Sequence, residues 1–281
     1  MSSANAIGSN VNRIEAAVQN ITAAAITGDV FVTVLATQGV EVNVPISSAL
    51  GTNVLLNIIG DITLNASVTS NGNQGVGGGS ITILATGDIY QNDSGDLSAV
   101  GGTIDVESLT GSIIMSDAAV SQTQGGNIRY KARGDIVLGQ IDTRIGVDQS
   151  SWGSVSLVSS NGSIIDSSES SAIGVDIYAT KLRVDAYAGF GTSSNAIESE
   201  IEILSVKTGV EGVFVTEETG LTVDATGILV VNRVLDDGTT LSLSDASQSD
   251  IVSLGSVVLT TKAGSIVINR HPFTHHFAAR I

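Results

Sequence analysis

Two pairs of residues have the types and spacing to do chemistry: Asp105 and Glu107, two apart, and Arg129 and Lys131, also two apart and 24 residues further on. Carboxylates beside a basic group are the equipment of polysaccharide lyases and hydrolases, which protonate, deprotonate or displace at a glycosidic linkage. If the segments IDVES and IRYKA are strands in matching phase, alternation sends both pairs outward from their strands, one above the other. The plainer reading is a surface ladder of ion pairs, each contributing little. With one tryptophan and four tyrosines the chain is poor in sugar-stacking rings, so no catalytic residue is assigned.

Metal chemistry is equally thin. His271, His275 and His276 have a spacing that on a helix would suit zinc, but nothing around them supplies a helix or a supporting carboxylate. Calcium is the one cofactor the charge admits, with turns DSGD (93–96) and LDDG (235–238) as seats; neither carries an intact calcium-loop pattern. No cofactor-binding or metal-binding residue is therefore assigned, and the turn carboxylates read as solvated. The sequons at Asn20, Asn65, Asn92 and Asn161 are expected by chance in so Asn- and Ser-rich a chain.

The elements that would position these residues repeat. GSITILATGDI (79–89), GTIDVESLTGSI (102–113), GNIRYKARGDI (126–136), GSVSLVSSNGSI (153–164) and GSVVLTTKAGSI (255–266) share one skeleton, and NVLLNIIGDITL (53–64) lacks only the leading glycine. The isoleucines after the second glycine, Ile62, Ile89, Ile113, Ile136 and Ile164, are 27, 24, 23 and 28 residues apart. Intervals of this size mark stacked repeats. The spacing predicts an all-β chain, a parallel β-helix with coils of about 25 residues, about eleven in all and about 50 Å long at the spacing of paired strands. Ile81, Ile104, Ile128 and Val155 should form one buried column, and Ile83, Val106, Tyr130 and Leu157 the next. A coil alone should not fold; neighbours share the ordering cost. A mixed antiparallel sandwich is the alternative.

A longer period overlies the short one. Residues 8–33 and 191–216 share eight identities in 26 ungapped positions, at an offset of 183. NRIEAAVQNITAAA has the composition of a helix, but its partner near 195–206 alternates β-branched residues, which favours strand. Loops are expected at 65–80, 140–152 and 167–175, the best contact surfaces, and a turn at 236–238 between two strand-like runs. Residues 1–268 read as a single β-helix segment and 269–281 as an irregular or disordered tail.

Composition narrows the function. The net charge of −16 argues against nucleic acid as a partner, since phosphate binding needs clustered Lys and Arg. Four per cent aromatic content suits a narrow aliphatic interior. There are no cysteines, no run of eighteen apolar residues and no recognisable signal peptide at MSSANAIGSN. A segment of something longer is the expectation.

GDITL, GSITILATGDI, GGNIRYKARGDIVLG and FGTSSNAIESEIEILSVKTGVEGVFVTE resemble the repeats of filamentous haemagglutinin-type bacterial exoproteins, over roughly residues 8–268. The resemblance implies a right-handed parallel β-helix and a non-catalytic adhesive rod, extracellular or on the bacterial surface. The partners it implies are a host- or cell-surface glycan or protein receptor, adjacent β-helix segments of a longer chain, and an outer-membrane two-partner secretion transporter. The family's asparagine-proline secretion motifs are not seen; the only prolines are Pro45 and Pro272. The rival readings are a β-helix carbohydrate-active enzyme and an ice- or surface-binding solenoid with a threonine column of Thr63, Thr82 and Thr103, interrupted at Asn127 and Ser154.

Overall fold

The leading glycine of each copy has a geometric cause. A computed structural model describes residues 2–3, 7–8, 14–25, 28–35, 39–72, 78–167 and 174–269. In it a β-carbon on Gly102 would lie 2.0 Å from the carbonyl oxygen of Gly79, and one on Gly126 would lie 1.7 Å from that of Gly102. Each glycine sits over the backbone of the coil before it, and any side chain would open the corner. The aspartate of the Gly-Asp-Ile corner ties the next turn: Asp61 Oδ1 accepts from the Asp88 amide at 2.8 Å, and Asp88 Oδ1 from the Ser112 amide at 2.7 Å. At another corner asparagines do this for each other, Asn92 donating to Asn65, Asn65 to Asn43 and Asn43 to Asn20 at 2.5–2.7 Å. Three of the sequon asparagines thus have a structural use.

Between corners the chain forms parallel ladders. One runs through Val30–Leu35, Val54–Ile59, Ile81–Ala85, Ile104–Ser108, Ile128–Ala132 and Ser154–Ser159, and continues into Ile177–Ala186 and Ile197–Lys207. A second joins Val40–Val42 to Ile164–Asp166, and a third Ile46–Ser48 to Gln140–Asp142, one short strand per coil. The fold is a parallel β-solenoid of about seven turns, each roughly 24 residues. Eleven coils were expected because every residue was counted into the spiral; loops and a lateral hairpin lie outside it.

The two expected columns stack in register, Ile81 on Ile104 on Ile128 on Val155 and Ile83 on Val106 on Tyr130 on Leu157, and all eight are buried. Tyr130 fits among aliphatics because its hydroxyl meets Ser121 Oγ at 2.6 Å and donates to Gln91 Oε1 at 2.9 Å inside the core. An unpaired hydroxyl there would be costly.

The 183-residue period is structural. Ile14, Glu15 and Ala16 pair with Val32, Thr33 and Val34, and Ile197, Glu198 and Ser199 pair with Val215, Thr216 and Glu217, the same register 183 residues on. Within the stretch of helix-like composition Ile14–Ala16 and Ala24–Ala25 are strands, and its partner is the strand Ile197–Lys207. The repeats then part: Val30 pairs with Val54, 24 residues on, whereas Val213 pairs with Val257, 44 on. The extra chain is an antiparallel hairpin, Leu229–Val234 with Thr240–Asp245, turning at 236–238. It leaves the spiral after Leu221–Val223 and rejoins it at Ile251–Val252, so 1–268 is not helix throughout.

Other boundaries shift too. The expected loop at 65–80 contains the strand Val68–Ser70, and that at 140–152 begins with the strand Gln140–Asp142. Residues 168–173 of the third expected loop lie outside the described residues. So do 270–281 with the three histidines; Asn269 still belongs to the last coil, its amide donating to Val223 O at 3.1 Å.

Candidate functional site

The hairpin lies lengthwise along the outer face of the longest ladder. Beneath it runs one outward-pointing row, Phe31, Leu55, Thr82, Asp105, Arg129, Ser156 and Arg183, residue stacked on residue in register. Every member is buried. At the tip Val234 packs on Phe31 and Leu55, and its amide donates to Thr82 Oγ1 at 2.8 Å. At the root Arg183 Nε donates to Ala246 O at 2.9 Å, and Gln248 Nε2 to Val184 O at 2.7 Å.

The four residues nominated for chemistry fall in the middle. Asp105 lies beside Arg129 and Glu107 beside Lys131, in the expected register. They do not form a surface ladder. Arg129 Nη1 contacts Asp105 at 3.0 Å and Glu107 at 3.3 Å, and its Nε reaches Asp245 of the hairpin at 3.1 Å. Arg233, also of the hairpin, bonds Asp105 at 2.6 Å and Glu107. Lys131, more exposed, meets Glu107 at 3.1 Å. Burial pushes the Glu107 carboxyl up, but the hydrogen bond and charge of Arg233, with Lys131 and Arg129, outweigh it and hold it at about 2. Asp105 is fully covered, so the constellation fastens a hairpin to a rod. Arg233 and Asp245 were not singled out from sequence; each is one polar residue in an alternating strand and carries no local signal.

A second group of charges was also missed. Asp166 and Asp176 on one coil and Glu198 on the next bring carboxylate oxygens within 4.8 Å of one another. Asp176 Oδ2 accepts from the Glu198 amide at 2.9 Å. Burial first, then the neighbouring Asp166, pushes the Asp176 carboxyl well above the ordinary range; burial and Asp166 also raise Glu198. The turns favoured for calcium form no such group among the described residues: Asp96 accepts from the Val120 amide and Asp237 from Thr239.

Glu217 is an acid in the core. It occupies the position of Val34 in the first repeat and is fully buried. It accepts from Ser199 Oγ at 2.6 Å and the Ile201 amide at 3.1 Å, satisfying a corner of the chain. Burial raises it to about 7, although these hydrogen bonds pull it down.

The one tryptophan makes no open platform. Trp152 is buried edge-on to Tyr178, and the guanidinium of Arg144 covers the Tyr178 ring at 3.5 Å. Tyr187 is 66% exposed, in a trough of about 360 Å³ with Lys207 and Asp185; a neighbouring trough of about 300 Å³ is lined by Glu107, Lys131 and Arg133, and both reach Ser160. The threonine column does not form. Thr82 lies under the hairpin, and Thr63 stands in another ladder between Glu41 and Tyr90. Comparison with protein-family models, with curated proteins and with solved structures finds no match to this chain.

Proposed function

We propose that this chain is a structural and adhesive rod segment of a large bacterial surface or secreted protein of the filamentous haemagglutinin type. The observation that carries the reading is the state of the last coil. Val257, Ile266 and Ile268 occupy the inward positions of Val213, Leu221 and Val223, which are buried, yet they are 46%, 36% and 69% exposed. An interior left open along a strand edge invites another coil. Stiffness along the axis, with lateral loops as contact points for a glycan or protein receptor, fits a spacer that works by reach, outside the cell and beyond an outer-membrane transporter.

Light scattering tests the open end: the full chain should associate end to end as concentration rises, and Ile268→Lys should abolish it. Monomers at all concentrations would remove the rod-segment reading. Adhesion is tested separately by retention of chain-coated beads on arrayed glycans and matrix proteins; no retention on any surface would remove that half.

A carbohydrate-active enzyme is the second reading, favoured by the neighbouring troughs that hold Glu107 with Lys131 and Arg133 and Tyr187 with Asp185. Depolymerisation of a glycan by the purified chain, lost in Glu107→Gln, would replace the first reading with it.

A further inference from the structure

The charges under the hairpin are matched at its middle and unmatched at its root. Arg129 and Arg233 meet Asp105, Glu107 and Asp245 at hydrogen-bonding distance. Arg183, in the same row and 9% exposed, finds its nearest carboxylate, Asp185, only at 3.8 Å, and Asp185 is shared with Lys207 at 3.7 Å. The Arg183 Nη1 contact to Ser156 Oγ is long, at 3.5 Å. Lys181, two residues before, has no ion pair among the described residues. Its ammonium lies over the hairpin root, 4.0 Å from where a β-carbon on Gly227 would stand. Both cations line a cavity of about 80 Å³ with Ser154, Asn127 and Thr226, and no carboxylate lines it.

Two positive groups among two hydroxyls, an amide and the aliphatic Val155, Ile228 and Leu229, in a chain of net charge −16, make a site short of an anion. Arg129, the other guanidinium of the row, has its carboxylates. A volume of about 80 Å³ holds a tetrahedral oxyanion with a water or two. Arg183 supplies a planar fork and Lys181 a point charge, the pairing that suits phosphate or sulfate. We infer that the hairpin root is a binding site for a small tetrahedral oxyanion, phosphate or sulfate, held by Lys181 and Arg183, and that its occupancy fastens the hairpin to the rod. The inference stands independently of adhesion.

Inorganic phosphate is the probe, with sodium chloride at equal ionic strength as control. Phosphate at on the order of 100 times its Kd should raise the Tm of the full chain by roughly 5 °C, saturably, and slow amide exchange in 229–245. Lys181→Gln should lose most of both effects and Lys181→Arg should keep them. Glucose 6-phosphate giving the same protection supports the site and assigns it to a phosphate carried on a larger ligand; protection by the free ion alone assigns it to the ion. An equal rise with chloride, or an unchanged phosphate effect in Lys181→Gln, overturns the inference. Should Lys181→Gln not fold, calorimetric titration of the unaltered chain decides: the absence of a saturable heat overturns it.

Discussion

Two clusters of buried charge lie on the flank of one solenoid and obey opposite rules. Under the hairpin, three carboxylates and two guanidiniums interlock, and Glu107 is held at about 2. At Asp166, Asp176 and Glu198 carboxylates face each other, and both Asp176 and Glu198 are raised. Burial is common to both; what differs is who supplies the counter-charge. The first cluster draws it from a hairpin more than 100 residues away in sequence, so there electrostatics and tertiary structure are the same contact. In the second, burial and carboxylates of neighbouring coils raise Asp176 and Glu198 instead.

Removing a cation from the matched cluster should have the largest effect. Arg129→Met strands Asp245 and leaves the buried Asp105 with Arg233 alone, and should destabilise the chain by about 3–5 kcal/mol, read from denaturant unfolding. Amides of 229–245 should lose exchange protection before those of the aliphatic columns. Loss of protection in hairpin and columns together would mean that the two are one cooperative unit, and the comparison between flank and core would fail.

The acidic cluster should respond with the opposite sign. Asp176→Asn keeps an oxygen for the Glu198 amide and needs no proton to stay neutral, so it should stabilise by about 1–3 kcal/mol at pH 7. The pH profile separates the clusters further. Glu107 titrates below its ordinary 4.5 when folded, so its contribution is full above that pH and lost as pH falls toward 2. Asp176, and Glu217 at about 7, keep protons that the unfolded chain releases. Their contribution is full at low pH and declines as pH rises from the ordinary carboxylate range to 7 and beyond. Asp176→Asn should flatten the neutral limb and leave the acid limb alone; a flattened acid limb would refute the assignment.

What the chain discloses by itself follows from range. Ile81 to Val155 align because alternation and corner glycines are local signals repeated each coil, and Asp105 facing Arg129 follows from the same register. The 183-residue match forecast a shared pairing that Ile14–Val32 and Ile197–Val215 obey. The two strands and the turn at 236–238 were legible, but their antiparallel pairing outside the spiral was hidden, because LVVNRV and TLSLSD alternate as coil strands do and periodicity does not distinguish parallel from antiparallel partners. Arg233 meets Asp105 across 128 residues, with no spacing rule to announce it. The acidic group was hidden for a related reason: Asp166, Asp176 and Glu198 fall at unequal steps, on coils whose lengths differ.

The smallest effect tests where the matched cluster ends. Lys131 is the one cation of the group with a substantially exposed side chain, 38%, and it touches only Glu107, which Arg129 and Arg233 already satisfy. Solvent screens that contact, and Lys131→Met should cost about 0.2–1 kcal/mol. In a double-mutant cycle Lys131 and Glu107 should couple weakly, while Arg233 and Glu107 couple by more than about 1.5 kcal/mol, as buried pairs in a shared network do. Equal couplings would place the boundary of the network beyond Lys131, in the trough with Arg133, and extend the hairpin's anchorage into the solvent-facing row.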